Sequence, residues 1–116
     1  MSAQSLALLT AALTLQATVA ANRFITFGTG AQTAADANTY GVSRTAGVAT
    51  EKIPVDVLGT AVVEAGAAVA AGATVKSDST GRAITWATSG AKVGLALEAA
   101  SAAGQFIEVL LIPNVA

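Results

Sequence analysis

The chain has 116 residues, six basic and seven acidic side chains, and neither histidine nor cysteine. That composition excludes thiol chemistry, disulfides, imidazole bases and the usual transition-metal ligands, and no basic run offers a nucleic-acid footprint. The length suits one domain. Much of the 53% hydrophobic content is alanine and aromatics reach only 4%; because each buried methylene adds only about 0.8 kcal/mol, such a core gains from burying further surface against a partner.

Residues 1–21 are apolar and end in Val19-Ala20-Ala21, as a secretory signal does, but no Lys or Arg precedes the apolar run. Leu13, Leu15, Ala17 and Val19 alternate with Thr14, Gln16 and Thr18, which is strand period. Thr and Gln also interrupt the run well short of the ~20 residues a membrane helix needs. Residues 1–12 carry no charge and no such pattern, and read as a flexible N-terminal arm, loose or with a short helix, ahead of a single β domain over 13–116.

Asn22-Arg23-Phe24-Ile25-Thr26-Phe27 is a β-rich run closed by Gly28-Thr29-Gly30, and 31–39 reads as a loop. Tyr40 to Arg44 reads as a short strand and Glu51 to Leu58 as the next, with Gly59 turning the chain into Thr60-Ala61-Val62-Val63-Glu64. Ala67 to Ala73 has helix propensity, but Gly66 and Gly72 bracket it and leave room for one turn at most. Thr74–Ser77 and Arg82–Trp86 flank Asp78-Ser79-Thr80-Gly81, a hairpin with an Asp-initiated turn. Gly94 to Ile112 is strand, small-residue turn, strand; its second arm is the most hydrophobic run in the protein, and Pro113 stops it.

Parts of the chain look like copies of one another. Ile107-Glu108-Val109-Leu110 sits over Val55-Asp56-Val57-Leu58, Val69–Val75 parallels Val19–Ile25, and Gly94-Leu95 parallels Gly41-Val42. The pattern predicts two similar β units of about 50 residues, over 13–59 and 60–113, forming one small all-β barrel or sandwich.

Enzyme motifs fail on their companions. Gly28-Thr29-Gly30 lacks the third glycine and the helix of a dinucleotide loop, and no Gly-Lys-Ser/Thr exists to form a P-loop. Ser89-Gly90-Ala91-Lys92 has the four-residue form of a serine β-lactamase nucleophile without the rest of that enzyme. Asp56, Glu64, Glu98 and Glu108 are candidates for paired acid–base work, yet Asp56 and Glu108 hold matching places in the two copies, which reads as a solvated strand face. The sole tryptophan, Trp86, ends a hairpin arm and reads as a cap on the small core or an anchor at a protein interface. No catalytic, cofactor or metal site is expected.

Val55 through Gly66, Ala70-Ala71-Gly72, Lys76 through Ala83, Val93 through Ala100 and Ile107 through Leu111, with Asn22-Arg23-Phe24 before them, resemble in order the capsid cement, or decoration, proteins of tailed double-stranded DNA phages. The resemblance covers about 13–112. It implies a structural virion protein on the outer capsid surface, made in the host cytoplasm, that binds the expanded head as a homotrimer and bridges major capsid proteins, with no nucleic acid or membrane partner. Ser2, Gln4, Leu6 and Leu9 of the arm, together with Trp86, are the expected capsid or subunit contacts. A tail or fibre module, or a small secreted β-domain enzyme or binding protein, are the alternatives; the second would need chemistry at Glu64 or Glu98.

Overall fold

The computed structural model describes residues 5–26 and 30–112. Every regular element among them is a strand: β1 (Leu6–Thr14), β2 (Phe24–Thr26), β3 (Ala31–Gln32), β4 (Gly41–Ser43), β5 (Lys52–Glu64), β6 (Thr74–Ser77), β7 (Ala83–Thr85), β8 (Gly94–Ala96) and β9 (Phe106–Leu111). They form one sheet in the order β3-β2-β4-β5-β9-β8-β6-β7, with β1 on β5. The paired ladders are antiparallel, and the sheet curls into a half-barrel. The all-β expectation holds, on the barrel side of the alternative.

The long β5 organises the sheet. One of its edges carries β4 at Val55–Asp56 and then β9 from Thr60 to Glu64, while the opposite edge carries β1 from Lys52 to Thr60. Alternate residues of β5 and β9 (Ile53, Val55, Ala61, Val63, Ile107, Val109 and Leu111) point inward and are buried, as a strand with one core face requires. Two apolar clusters result. Leu15, Val19, Ile25, Ile53 and Val55 form the smaller one, and Phe24, Val42, Val63, Val75 and the inner face of β9 belong to the larger.

Four expectations are corrected. Gly59 does not turn the chain, because β5 runs through it. Its φ of +99° lies at a register shift opposite Ala7–Leu9, and a Cβ there would strike the Leu6 carbonyl. The glycine therefore absorbs a bulge in one continuous strand. Residues 6–12, expected as a loose arm or short helix, lie in β1, whose backbone groups satisfy an edge of β5 that would otherwise be open. The strand therefore ends at Thr14, and the alternating Leu15 and Val19 are core residues on a bent connection joined to Gly47. Ala31–Gln32, expected in a loop, pair with β2. Helix is absent from Ala67–Ala73, as the flanking glycines require.

Several backbone hydrogen bonds have counterparts about 50 residues further along the chain. Val19 and Gly47 exchange N–H···O bonds of 2.9 and 3.1 Å, and Val69 and Ala100 do so at 2.9 and 2.8 Å. Tyr40 N–H to Ile25 O matches Val93 N–H to Val75 O, and Leu15 N–H to Glu51 O matches Ala65 N–H to Gln105 O. Arg44 N–H donates to Pro54 O, and Leu97 N–H donates to Glu108 O.

Candidate functional site: an outward sheet face

Antiparallel pairing brings distant residues into rows. Leu6 on β1, Thr60 on β5, Leu110 on β9 and Leu95 on β8 are successive cross-strand partners, and partners across a ladder share a face. The adjacent row joins Leu9 to Leu58; on the other side Val62 faces Glu108 and Glu64 faces Phe106. This is the face turned away from Ile107, Val109 and Val63. Leu6 (60% exposed), Phe106 (52%), Leu9, Leu58, Leu97 and Leu110 all stand partly in solvent.

Beside these residues lies a cleft of about 190 Å³ lined by Ser5, Asn22, Val42, Ser43, Arg44, Asp56 and Val62. Its polar groups are engaged with one another. Asp56, 3% exposed, accepts hydrogen bonds from Arg44 Nη2 and Thr10 Oγ1 at 2.8 Å each and from Ser5 Oγ at 3.3 Å. Asn22 Nδ2 donates to Val62 O, and Ser43 Oγ to Ala20 O. The cleft fastens β1 and the Ser43–Arg44 corner to β5.

The four candidate carboxylates are dispersed in role. Glu64 pairs with Arg23 at 3.1 Å and Arg82 at 3.7 Å, and Glu98 accepts the Glu108 N–H at 2.8 Å. Asp56 and Glu108 are buried, which corrects the expectation of a solvated strand face: Asp56 lies beneath the side chains of Ser5, Thr10 and Arg44 that hydrogen-bond to it.

A polar clamp that the sequence did not reveal joins β2 and β3 to the end of β5 and the β6–β7 turn. Arg23 reaches Glu64 and the Thr80 carbonyl, Gln32 Nε2 donates to the same carbonyl, and Phe24 N–H donates to Gly81 O. Asp78 anchors the clamp's far side, accepting from the Thr80 and Arg82 N–H groups and from Arg82 Nε. Burial opposes ionisation of Asp78, but those N–H groups, the Thr80 hydroxyl and the Arg82 charge together outweigh it and lower its pKa. Across the sheet, Lys76 lies 2.6 Å from Asp36 and lowers its pKa through that hydrogen bond.

Of the expected contact residues, Leu6 and Leu9 are exposed on β1, and Ser2 and Gln4 lie outside the described residues. Trp86 follows β7, at the far end of the sheet order from β5 and β1. Its Nε1 donates to Gly90 O at 2.9 Å and Lys92 lies 4.4 Å from its ring centroid, so the structure does not bring Trp86 together with β1.

No curated protein matches the chain. A solved structure, the head fiber gp8.5 N base in bacteriophage phi29, matches with a TM-score of 0.74 at 17% identity, covering 90% of this chain and 93% of that one; at that identity the likeness shows a shared fold. The family of phage cement proteins matches residues 3–111, nearly the whole curled sheet, and the chain belongs to that family.

Proposed function

We propose that the protein is a capsid cement that binds the outside of the expanded phage head as a homotrimer and ties neighbouring major capsid proteins together. The family match over 3–111 carries this reading. The fold suits it: a rigid sheet whose carboxylates serve structure, with apolar side chains held outward on β1, β5 and β9. A ligand that binds the expanded shell and not its dissociated subunits stabilises the shell by mass action, by about 2.7 kcal/mol per site at a hundredfold excess over Kd. A trimer gains further, because its second and third contacts are intramolecular. We also read the two halves as similar units, from the hydrogen bonds that recur at a spacing of about 50 residues.

The likeness to the head fiber base favours a second reading, in which the domain roots a longer projection on the head. Cryo-electron microscopy of the mature particle separates the two. Three copies of the compact domain lying on the shell between capsomers support the cement. Density that continues outward from the domain into a fibre supports the base. Density confined to the tail contradicts both.

A further inference from the structure

We propose that the free edge of β1 takes up an extended, uncharged segment of the shell protein as one more strand of the sheet. This rests on the cement reading and deepens it by naming a surface and a mode of attachment. β1 is nine residues long and carries neither charge nor proline, the devices with which natural sheets commonly guard an open edge. Both ends of the sheet order are short or covered. β3 has two residues; β7 has three, with Ala65 bridged to Ala83 and Gly66 N–H donating to the Ala83 carbonyl. Among the described residues, β1 pairs with β5 and takes no strand on its other edge.

The ladder shows which groups are open. Pro54 O accepts the Arg44 N–H, and a Cβ on Gly41 would meet the Asp56 carbonyl, so at Pro54 and Asp56 the β5 backbone turns toward β4. Alternation along the strand then turns Ile53 and Val55 toward β1, where their partners are Leu13 and Ala11. The same alternation leaves the N–H and C=O groups of Thr10 and Ala12 pointing away from β5, and both residues are exposed. Nearer the start of the strand Leu6, Leu8 and Leu9 stand in solvent, Leu8 at 84% exposure, so the side chains flanking the edge are apolar as well as uncharged. Outward amide and carbonyl groups in a row are complemented by another backbone in extended form, as in β-augmentation. Self-pairing does not fit the trimer, because identical edges meeting antiparallel close a two-fold pair. A three-fold ring would need β1 of one copy to add to a different edge of the next, and β3 and β7 offer none of this length. The occupant is therefore foreign, and the lack of charge along β1 selects an uncharged segment. One such strand is a small contact, but three on one trimer act together.

The test is co-sedimentation of full-chain variants with expanded, undecorated heads of the encoding phage. Ala12→Pro removes one outward N–H and leaves the bonds to β5 in place, at an edge position where proline is tolerated. Ala12→Val keeps the N–H and enlarges the side chain. Ala12→Pro should keep the wild-type dichroism spectrum and solution mass and bind heads at least about 10-fold more weakly, while Ala12→Val should bind within about threefold of wild type. If Ala12→Pro fails to fold, amide exchange of the wild type decides. The Thr10 and Ala12 amides should exchange rapidly in the free chain and at least about 100-fold more slowly on heads, with Ala11 and Leu13 little changed. A folded Ala12→Pro that binds as wild type does overturns the proposal, and so do equal losses for the proline and valine variants, or Thr10 and Ala12 amides that heads leave unprotected. A changed solution mass for Ala12→Pro overturns it too, by giving the edge to a second copy. A wild type that ignores heads removes the cement reading together with this inference, whereas undiminished binding by Ala12→Pro removes this inference alone.

Discussion

Phe24→Ala and Phe106→Ala delete the same atoms from sites of opposite exposure, and the account predicts very different losses. Phe24 is fully buried in the larger core cluster, beside Val42 in the β2–β4 ladder. Its truncation leaves a cavity in an alanine-rich core with few large side chains able to collapse into it, so the cost should fall near 3–5 kcal/mol. At ~2.1 cal/mol/K per residue, a chain of 116 residues unfolds with an entropy of about 0.24 kcal/mol/K, so ~4 kcal/mol lowers Tm by roughly 16 °C. That is a large part of the ~5–15 kcal/mol a domain commonly has. Phe106 is half exposed on the outward face, and its truncation should cost the isolated chain under about 1 kcal/mol. Thermal melts followed by circular dichroism at high and low protein concentration measure both. Equal Tm losses for the two variants at low concentration would refute the assignment of core and outward faces.

Three further outcomes follow from the geometry. A Cβ on Gly41 would lie against the Asp56 carbonyl and Val55 Cγ1, so Gly41→Ala should destabilise by more than about 2 kcal/mol in urea titration, although alanine has the higher intrinsic strand propensity. Asp56→Ala removes the shared acceptor of Arg44, Thr10 and Ser5; it should cost about 2–3 kcal/mol and speed amide exchange selectively along β1, whereas Arg44→Ala, at a half-exposed donor, should cost under about 1 kcal/mol. The pKa of Asp78 is lowered by folding, so the carboxylate stabilises the native state above its ordinary range near pH 4, and that contribution is lost as pH falls through the lowered folded value. Asp78→Asn should therefore be less stable than wild type at pH 7, with the gap narrowing as pH falls below about 4 in paired urea titrations; a gap that does not narrow in acid would contradict the linkage.

The parts of the fold legible in the sequence are those decided by neighbours in the chain. The β6–β7 hairpin follows from Asp78 and Gly81, whose turn chemistry is local, and β9 follows from an apolar run that only Glu108 interrupts. β1 is not legible because its pairing is set by where β5 lies, some 40 or more residues away: Leu6–Thr14 is mostly exposed and has no clean alternation, while the alternating Leu13–Val19 segment is only partly strand. At Gly59, a lone glycine between two apolar runs looks the same in sequence whether the chain reverses or bulges. The outward face was hidden for a related reason. Leu6, Thr60, Leu110 and Leu95 become neighbours only once three ladder registers are fixed. The one available signal was that Phe106 and Leu110 alternate with buried positions yet are as apolar as they are. The clamp of Arg23, Glu64, Arg82 and Asp78 gave no such signal, since its members are ordinary surface charges until the hairpin turn folds against β2 and β5.

The central claim is capsid binding, and the most direct measurement is co-sedimentation of the purified full chain with expanded, undecorated heads of the phage that encodes it. The account predicts saturable binding at a fixed ratio to the major capsid protein, with bound heads surviving heating that disrupts bare ones. Folded protein that stays in the supernatant at every concentration, and leaves the heads no harder to disrupt, would contradict it.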